Sequence, residues 1–199
     1  MKTDRLIKTA SFILVINVAY AVGNLFVGVS DHSWWFITLG VYYIILSTMR
    51  LTAVIMGQRS KVGITSKCVG VMLMITAIPL LAIVILCFVR EVGSKFHEIV
   101  MIAMATYAFT KVTLAIINLI KVRHTSSEVE KALRNISLAD ALVSIASLQR
   151  SMLVSFGDMS QSDIRLFNVH TGTGVSIIIF SLGLNLLLEL RAKKESEIQ

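Results

Sequence analysis

The side chains best able to do chemistry in this chain lie where charge is hardest to keep. Arg50, Lys111 and Asp140 all fall inside long apolar runs. The run from Glu98 to Lys121, EIVMIAMATYAFTKVTLAIINLIK, is apolar enough to span a bilayer and carries Lys111 near its middle. A cation at that depth is costly and turns toward a partner or a wet path rather than toward lipid. Asp140 is the only carboxylate well inside such a run, so it is the expected counter-ion of Lys111, Arg50 or both.

Polar neighbours recur at helical spacing. Asn17, Tyr20 and Asn24 form one stripe. Tyr43, Ser47 and Arg50 form a second, Tyr107, Lys111 and Asn118 a third, and Asp140, Ser144, Ser147 and Ser151 a fourth. Residues three, four or seven apart share a helix face, so each stripe is expected to turn inward. The candidate site is therefore Lys111, Asp140, Arg50, Tyr107, Tyr43, Asn17 and Asn118. Such a set suits either an ion pair that joins helices or a path for a solute. The serine row, with Gly172, Gly174 and Gly183, suits close helix packing.

These residues need elements to hold them, and composition says which. The 199 residues are 55% hydrophobic and 16% charged, against about 25% charged in ordinary soluble domains. The apolar residues gather in runs of about twenty, the length that crosses a bilayer as a helix. The expected fold is all-α, a single polytopic membrane domain over 1–199. Six transmembrane helices are expected at about 6–27, 34–56, 69–89, 98–121, 128–156 and 168–190. The first is read as a span, because its apolar stretch is too long for a signal peptide. Ser127 and Glu130 fit a capping box for the fifth. Pro79 interrupts the third, which is otherwise nearly all apolar and is expected to face lipid, with the fourth as the inner helix. Trp34 and Trp35 look like interfacial anchors. Cys68 and Cys87 stand about 28 Å apart along one helix, too far for a disulfide.

Loop charges set the orientation. Of 19 Lys and Arg, 13 lie in the N-terminus, the loops after the second and fourth helices and the C-terminal tail, and three lie in the other loops. Cations stay in the cytoplasm, so both termini are expected there. The same bias accounts for the net charge of +7, and no nucleic-acid partner is needed. Arg50 and Asp140 then lie about 9 Å from the cytoplasmic ends of their helices and Lys111 about 15 Å, close enough to meet. His32, His97 and His170 fall on the outer side, where convergence would allow pH sensing; no metal-ligand spacing joins them, and no metal or cofactor is expected. Arg150, near the outer end of the fifth helix, is placed to reach headgroups or hold an anion.

The segments TKVTLAIINLIKVR and ISLADALVSIASLQRSMLVSFG resemble a family of small multi-pass membrane proteins of Gram-positive bacteria. The resemblance covers about half the chain and implies a bacterial plasma-membrane location, but no activity and no functional residues. No CxxC, HExxH, GxSxG, Walker A or GxGxxG pattern occurs, so an enzyme is not expected. Two readings stand. In one, the protein is a small transporter, channel or membrane-embedded transport subunit with a charged site in its inner half. In the other, it is a non-transporting assembly or sensor protein whose charges fix helix packing. The expected partners are the lipid bilayer and either further copies of the chain or an energising subunit.

Overall fold

The computed structural model describes residues 2–30, 32–58, 62–90, 98–122, 127–156 and 159–196, and every element among them is helical. The helices are α1 (Lys2–Ser30), α2 (Trp34–Gln58), α3 (Val62–Arg90), α4 (Glu98–Val122), α5 (Glu128–Phe156) and α6 (Gln161–Ser196). Five of them, all but α5, are long and apolar enough to cross a membrane. Burial is inverted relative to a water-soluble protein. Phe12, Phe26, Ile102 and Phe109 are exposed, while Asn17, Arg50 and Asp140 are at most 2% exposed.

Two helix starts, those of α5 and α6, explain themselves locally. Lys131 N–H donates to the Ser127 carbonyl at 3.1 Å, which makes Ser127 the N-cap and starts α5 where the sequence expects it. α6 begins seven residues before its expected start. Ser160 caps it: its hydroxyl accepts from Asp163 N–H at 3.2 Å and donates to the Asp163 carboxylate at 2.7 Å. α3 likewise begins seven residues early. Its first turns hold Thr65 and Ser66, both fully buried, and the Ser66 hydroxyl donates to the Glu128 carbonyl at 3.2 Å. Residues that read as a polar loop are a polar helix start seated on α5.

α2 and α5 run antiparallel through the middle of the bundle. Trp35 lies on Arg150, Tyr43 on Ser144 and Arg50 on Ser137, which fixes their register from Trp35 to Arg50 of α2. α5 also packs on α3, α4 and α6. Its buried face includes Asn135, Asp140, Ser144, Ser147, Arg150 and Ser151, so its polarity faces protein. The α5–α6 pair is tied at both ends, by Lys131 to Glu189 at 2.9 Å and by Gln149 to Thr171 at 2.8 Å.

The expected placement of α3 and α4 is reversed. α3 is interior, packed on α6, α2 and α5, and buries Val69, Leu73, Thr76, Ala77 and Leu80. Its contact with α6 is close because neither Gly70 nor Gly183 has a side chain: a Cβ on Gly183 would stand 2.7 Å from the Gly70 carbonyl oxygen. Gly172 meets Val84 in the same way, whereas Gly174 has nothing within 4 Å of a would-be Cβ and takes no part. α4 is peripheral and packs mainly on α5. Among its described residues it buries only the narrow stripe Met101, Ala108, Lys111 and Ala115. α1 packs mainly on α2 and meets α4 through side chains.

Candidate functional site

The centre of the site is the Asp140 carboxylate, 2% exposed on the middle of α5. Three other helices supply its neighbours. Lys111 Nζ of α4 donates to Asp140 Oδ1 at 2.5 Å. Asn17 of α1 donates from Nδ2 to Asp140 Oδ2 at 3.1 Å, and its Oδ1 accepts from Lys111 at 2.9 Å. That double contact fixes the amide orientation, with the carbonyl toward the cation and the NH2 toward the anion. Arg50 Nη2 of α2 lies 3.6 Å from Asp140 Oδ2, an ion pair beyond hydrogen-bond range, and 3.4 Å from Ser137 Oγ. Asp140 thus pairs with both cations, as their depths along the helices implied.

Tyrosines enclose the ammonium. Lys111 Nζ lies 4.5 Å from the ring centroids of Tyr43 and Tyr107 and 5.8 Å from that of Tyr20. Ring faces attract a cation, more so in a dry setting, so the rings and Asp140 hold the same charge from different sides. Tyr20 and Tyr107 stack at 4.4 Å, and Tyr20 meets Tyr43 edge to face at 4.9 Å. The Ser144 hydroxyl donates to the Asp140 carbonyl at 2.8 Å, so the Tyr43 hydroxyl, 3.0 Å away, is the donor between the two.

The inventory of hydrogen bonds is lopsided. Both Asp140 oxygens are engaged, by three cationic or amide groups in all. Among the described residues, Arg50 Nε, Arg50 Nη1 and the Tyr107 hydroxyl are buried with no hydrogen-bond partner. All three can donate. Buried polar groups are rarely left so.

Above the Tyr20–Tyr107 pair, α1 and α4 part. The gap is a groove of about 500 Å³ whose walls include Ile16, Gly23, Val27, Phe36 and Met104, with Tyr20 and Tyr107 as its floor.

Of the residues singled out in the sequence, Lys111, Asp140, Arg50, Tyr107, Tyr43 and Asn17 converge. Asn118 does not: it is half-buried two turns further along α4. Tyr20 and Ser137 were missed as members. Tyr20 was legible as the neighbour of Asn17 on one helix face, three residues on. The outer candidates scatter. His32 is exposed in the α1–α2 turn with φ 52°, His170 is exposed and bonded at 2.8 Å to its own helix at Leu166 O, and His97 lies outside the described residues. Among the described residues no three His, Cys, Asp or Glu side chains are grouped to hold a metal. Arg150 is 4% exposed, with its guanidinium 4.3 Å from the Trp35 ring, so Trp35 serves as an interior platform, while Trp34 is 56% exposed.

In comparison with known proteins, no family model matches the chain and no curated protein matches it.

Proposed function

We propose that the chain is a six-span bacterial plasma-membrane protein with cytoplasmic termini, acting as a small transporter, channel or membrane-embedded transport subunit for an anionic solute. The observation that carries this reading is the imbalance at Asp140. Two buried cations face one carboxylate, and the buried groups around it that lack partners are donors. A staple between helices needs matched charges and filled hydrogen bonds. Surplus positive charge among apolar helices is costly, and it is offset when an anion or its water completes the set.

In this reading Asp140 is a built-in stand-in for the solute. It holds Lys111 and Arg50 while no solute is present and gives way when an external anion reaches them. The loop charges orient the site toward the cytoplasmic half. Resemblance of the C-terminal half to small membrane proteins of Gram-positive bacteria supports the location.

The test is uptake of small inorganic and organic anions into proteoliposomes, with bilayer current recorded in parallel. Uptake above that of empty liposomes is expected, falling by about tenfold or more in a folded Lys111→Met, Asp140→Asn double variant, a change of at least about 1.4 kcal/mol in the barrier. Undiminished flux in that variant removes the charged path. No flux or current for any anion leaves the assembly or sensor role as the better account.

A further inference from the structure

The groove between α1 and α4 points to where the solute comes from. We propose that it admits a single-chain amphiphile with an anionic head, such as an alkyl carboxylate, sideways from the bilayer, with the chain in the groove and the head at the tyrosine floor. The inference rests on the anion reading above and adds the substrate class and the route.

Three observations select this occupant. The first is the mouth. α1 and α4 meet through side chains at Tyr20–Tyr107 and Asn17–Lys111, and above those contacts the groove walls are nearly all apolar. The helices that flank it expose Phe12, Phe26, Ile99, Ile102 and Phe109. A hydrated small anion gains nothing from such a mouth, whereas an alkyl chain already in lipid crosses it without dehydration. The volume, about 500 Å³, falls in the range of pockets for drug-sized ligands.

The second is the charge beneath the floor. Lys111 Nζ is 4.5 Å from the Tyr107 centroid, and Tyr107 is itself the floor, so the ammonium lies one ring away from the groove. Movement of the stacked Tyr20–Tyr107 pair would bring a bound head to Lys111. The third is the sign. Two cations face the one carboxylate beneath the floor, so the charge there is net positive, and the Tyr107 hydroxyl and two Arg50 nitrogens are buried without hydrogen-bond partners.

Gly23 offers a clean obstruction. It lines the groove and has nothing within 4 Å of a would-be Cβ, so a large side chain there would fill the groove without striking the backbone of a neighbour. The experiment titrates the full-length protein, in nanodiscs of uncharged lipid, with a fluorescent long-chain alkyl carboxylate and reads anisotropy. Alkyl trimethylammonium of the same chain, the matching alcohol and acetate serve as competitors. Saturable binding of the carboxylate is expected, with competitors weaker by about tenfold or more. Gly23→Trp should weaken binding by a similar factor at an unchanged melting temperature, and Gly174→Leu, remote from the groove, should not. Should Gly23→Trp not fold, Val27→Trp, on the same wall, takes its place.

Preference for the ammonium amphiphile, competition by acetate as strong as by the long chain, or binding indifferent to folded obstructing variants at both positions each overturns the proposal. Failure here is separable from failure of the transport reading. Small-anion flux without amphiphile binding refutes only the groove's occupant. Amphiphile binding without any flux refutes transport and leaves a binding protein for anionic amphiphiles.

Discussion

Asp140→Asn is the most informative single perturbation, because the Asp140 carboxylate is in contact with two buried cations. In the native site Lys111 is 2.5 Å and Arg50 3.6 Å from it, at 8% and 2% side-chain exposure. Removing one partner of a buried pair leaves a charge uncompensated and costs about 3–5 kcal/mol; here two cations are left facing each other. Lys111→Met is milder. It leaves Asp140 paired with Arg50 and bonded to Asn17, and removes a charge-assisted hydrogen bond of about 1.5–3 kcal/mol. The double variant restores the net charge of the native site, with Arg50 alone surplus. It should therefore be less destabilised than the sum of the singles by about 0.5–3 kcal/mol, the range for groups in direct contact. Equilibrium unfolding in mixed micelles, followed by helical circular dichroism, measures all four corners of the cycle. Additivity within about 0.5 kcal/mol, or Lys111→Met proving the worse single change, would refute Asp140 as the shared counter-ion. The exchange Lys111→Asp with Asp140→Lys gives a second check, since it keeps both charges while swapping their helices.

Two further changes probe the surroundings. Gly183→Val should destabilise by about 1–3 kcal/mol, because its Cβ would lie 2.7 Å from the Gly70 carbonyl and 2.8 Å from the Met74 side chain; Gly174→Ala, with open space around it, should be neutral or stabilising by up to about 1 kcal/mol, and thermal melts compare the two. Arg150→Met should cost about 0.5–2 kcal/mol through loss of the Trp35 contact and shift the Trp35 emission in a Trp34→Phe background, with Arg150→Lys retaining part of both.

The charged cluster was legible in the sequence because membrane helices make polar spacing informative. A side chain such as Asp140 or Lys111 has few places to go other than the bundle interior, and topology supplies its depth. Packing order was less legible. Among lipid tails an apolar helix gains nothing from burial as such, so the hydrophobicity of α3 says nothing about whether it faces lipid. What does mark its interface is absence of side chain, at Gly70 against Gly183, and a missing atom names no partner in one dimension. α4 was misplaced for the converse reason: one lysine drew attention inward, although the helix buries only a narrow stripe. The starts of α3 and α6 failed on Thr, Ser and Asp residues that read as loop. In α6 the pattern Ser160-Gln-Ser-Asp163 was a readable cap; in α3 the seating of Ser66 on Glu128 is a tertiary contact with no local trace.

The same distinction bears on how many helices cross the membrane. By composition α5 fails as a span, and five crossings would put the chain ends on opposite sides. Geometry argues otherwise. α5 is joined to α6 by Lys131 with Glu189 and by Gln149 with Thr171, and the two ties are 18 residues apart on each helix, about 27 Å at 1.5 Å per residue. That nearly equals the hydrocarbon thickness of about 30 Å, the length over which two neighbouring spans would have to stay paired. Hydropathy prices every residue as though lipid surrounded it, whereas the buried polar residues of α5 face α2, α3, α4 and α6. Labelling with a membrane-impermeant maleimide decides the matter. In a background with Cys68 and Cys87 replaced by alanine, Ser127→Cys and Ser160→Cys mark the two ends of α5. Six crossings require Ser160→Cys to label in intact cells and Ser127→Cys only after permeabilisation, as Glu195→Cys in the last turn of α6 should; labelling of both α5 ends from one side would mean that α5 does not cross.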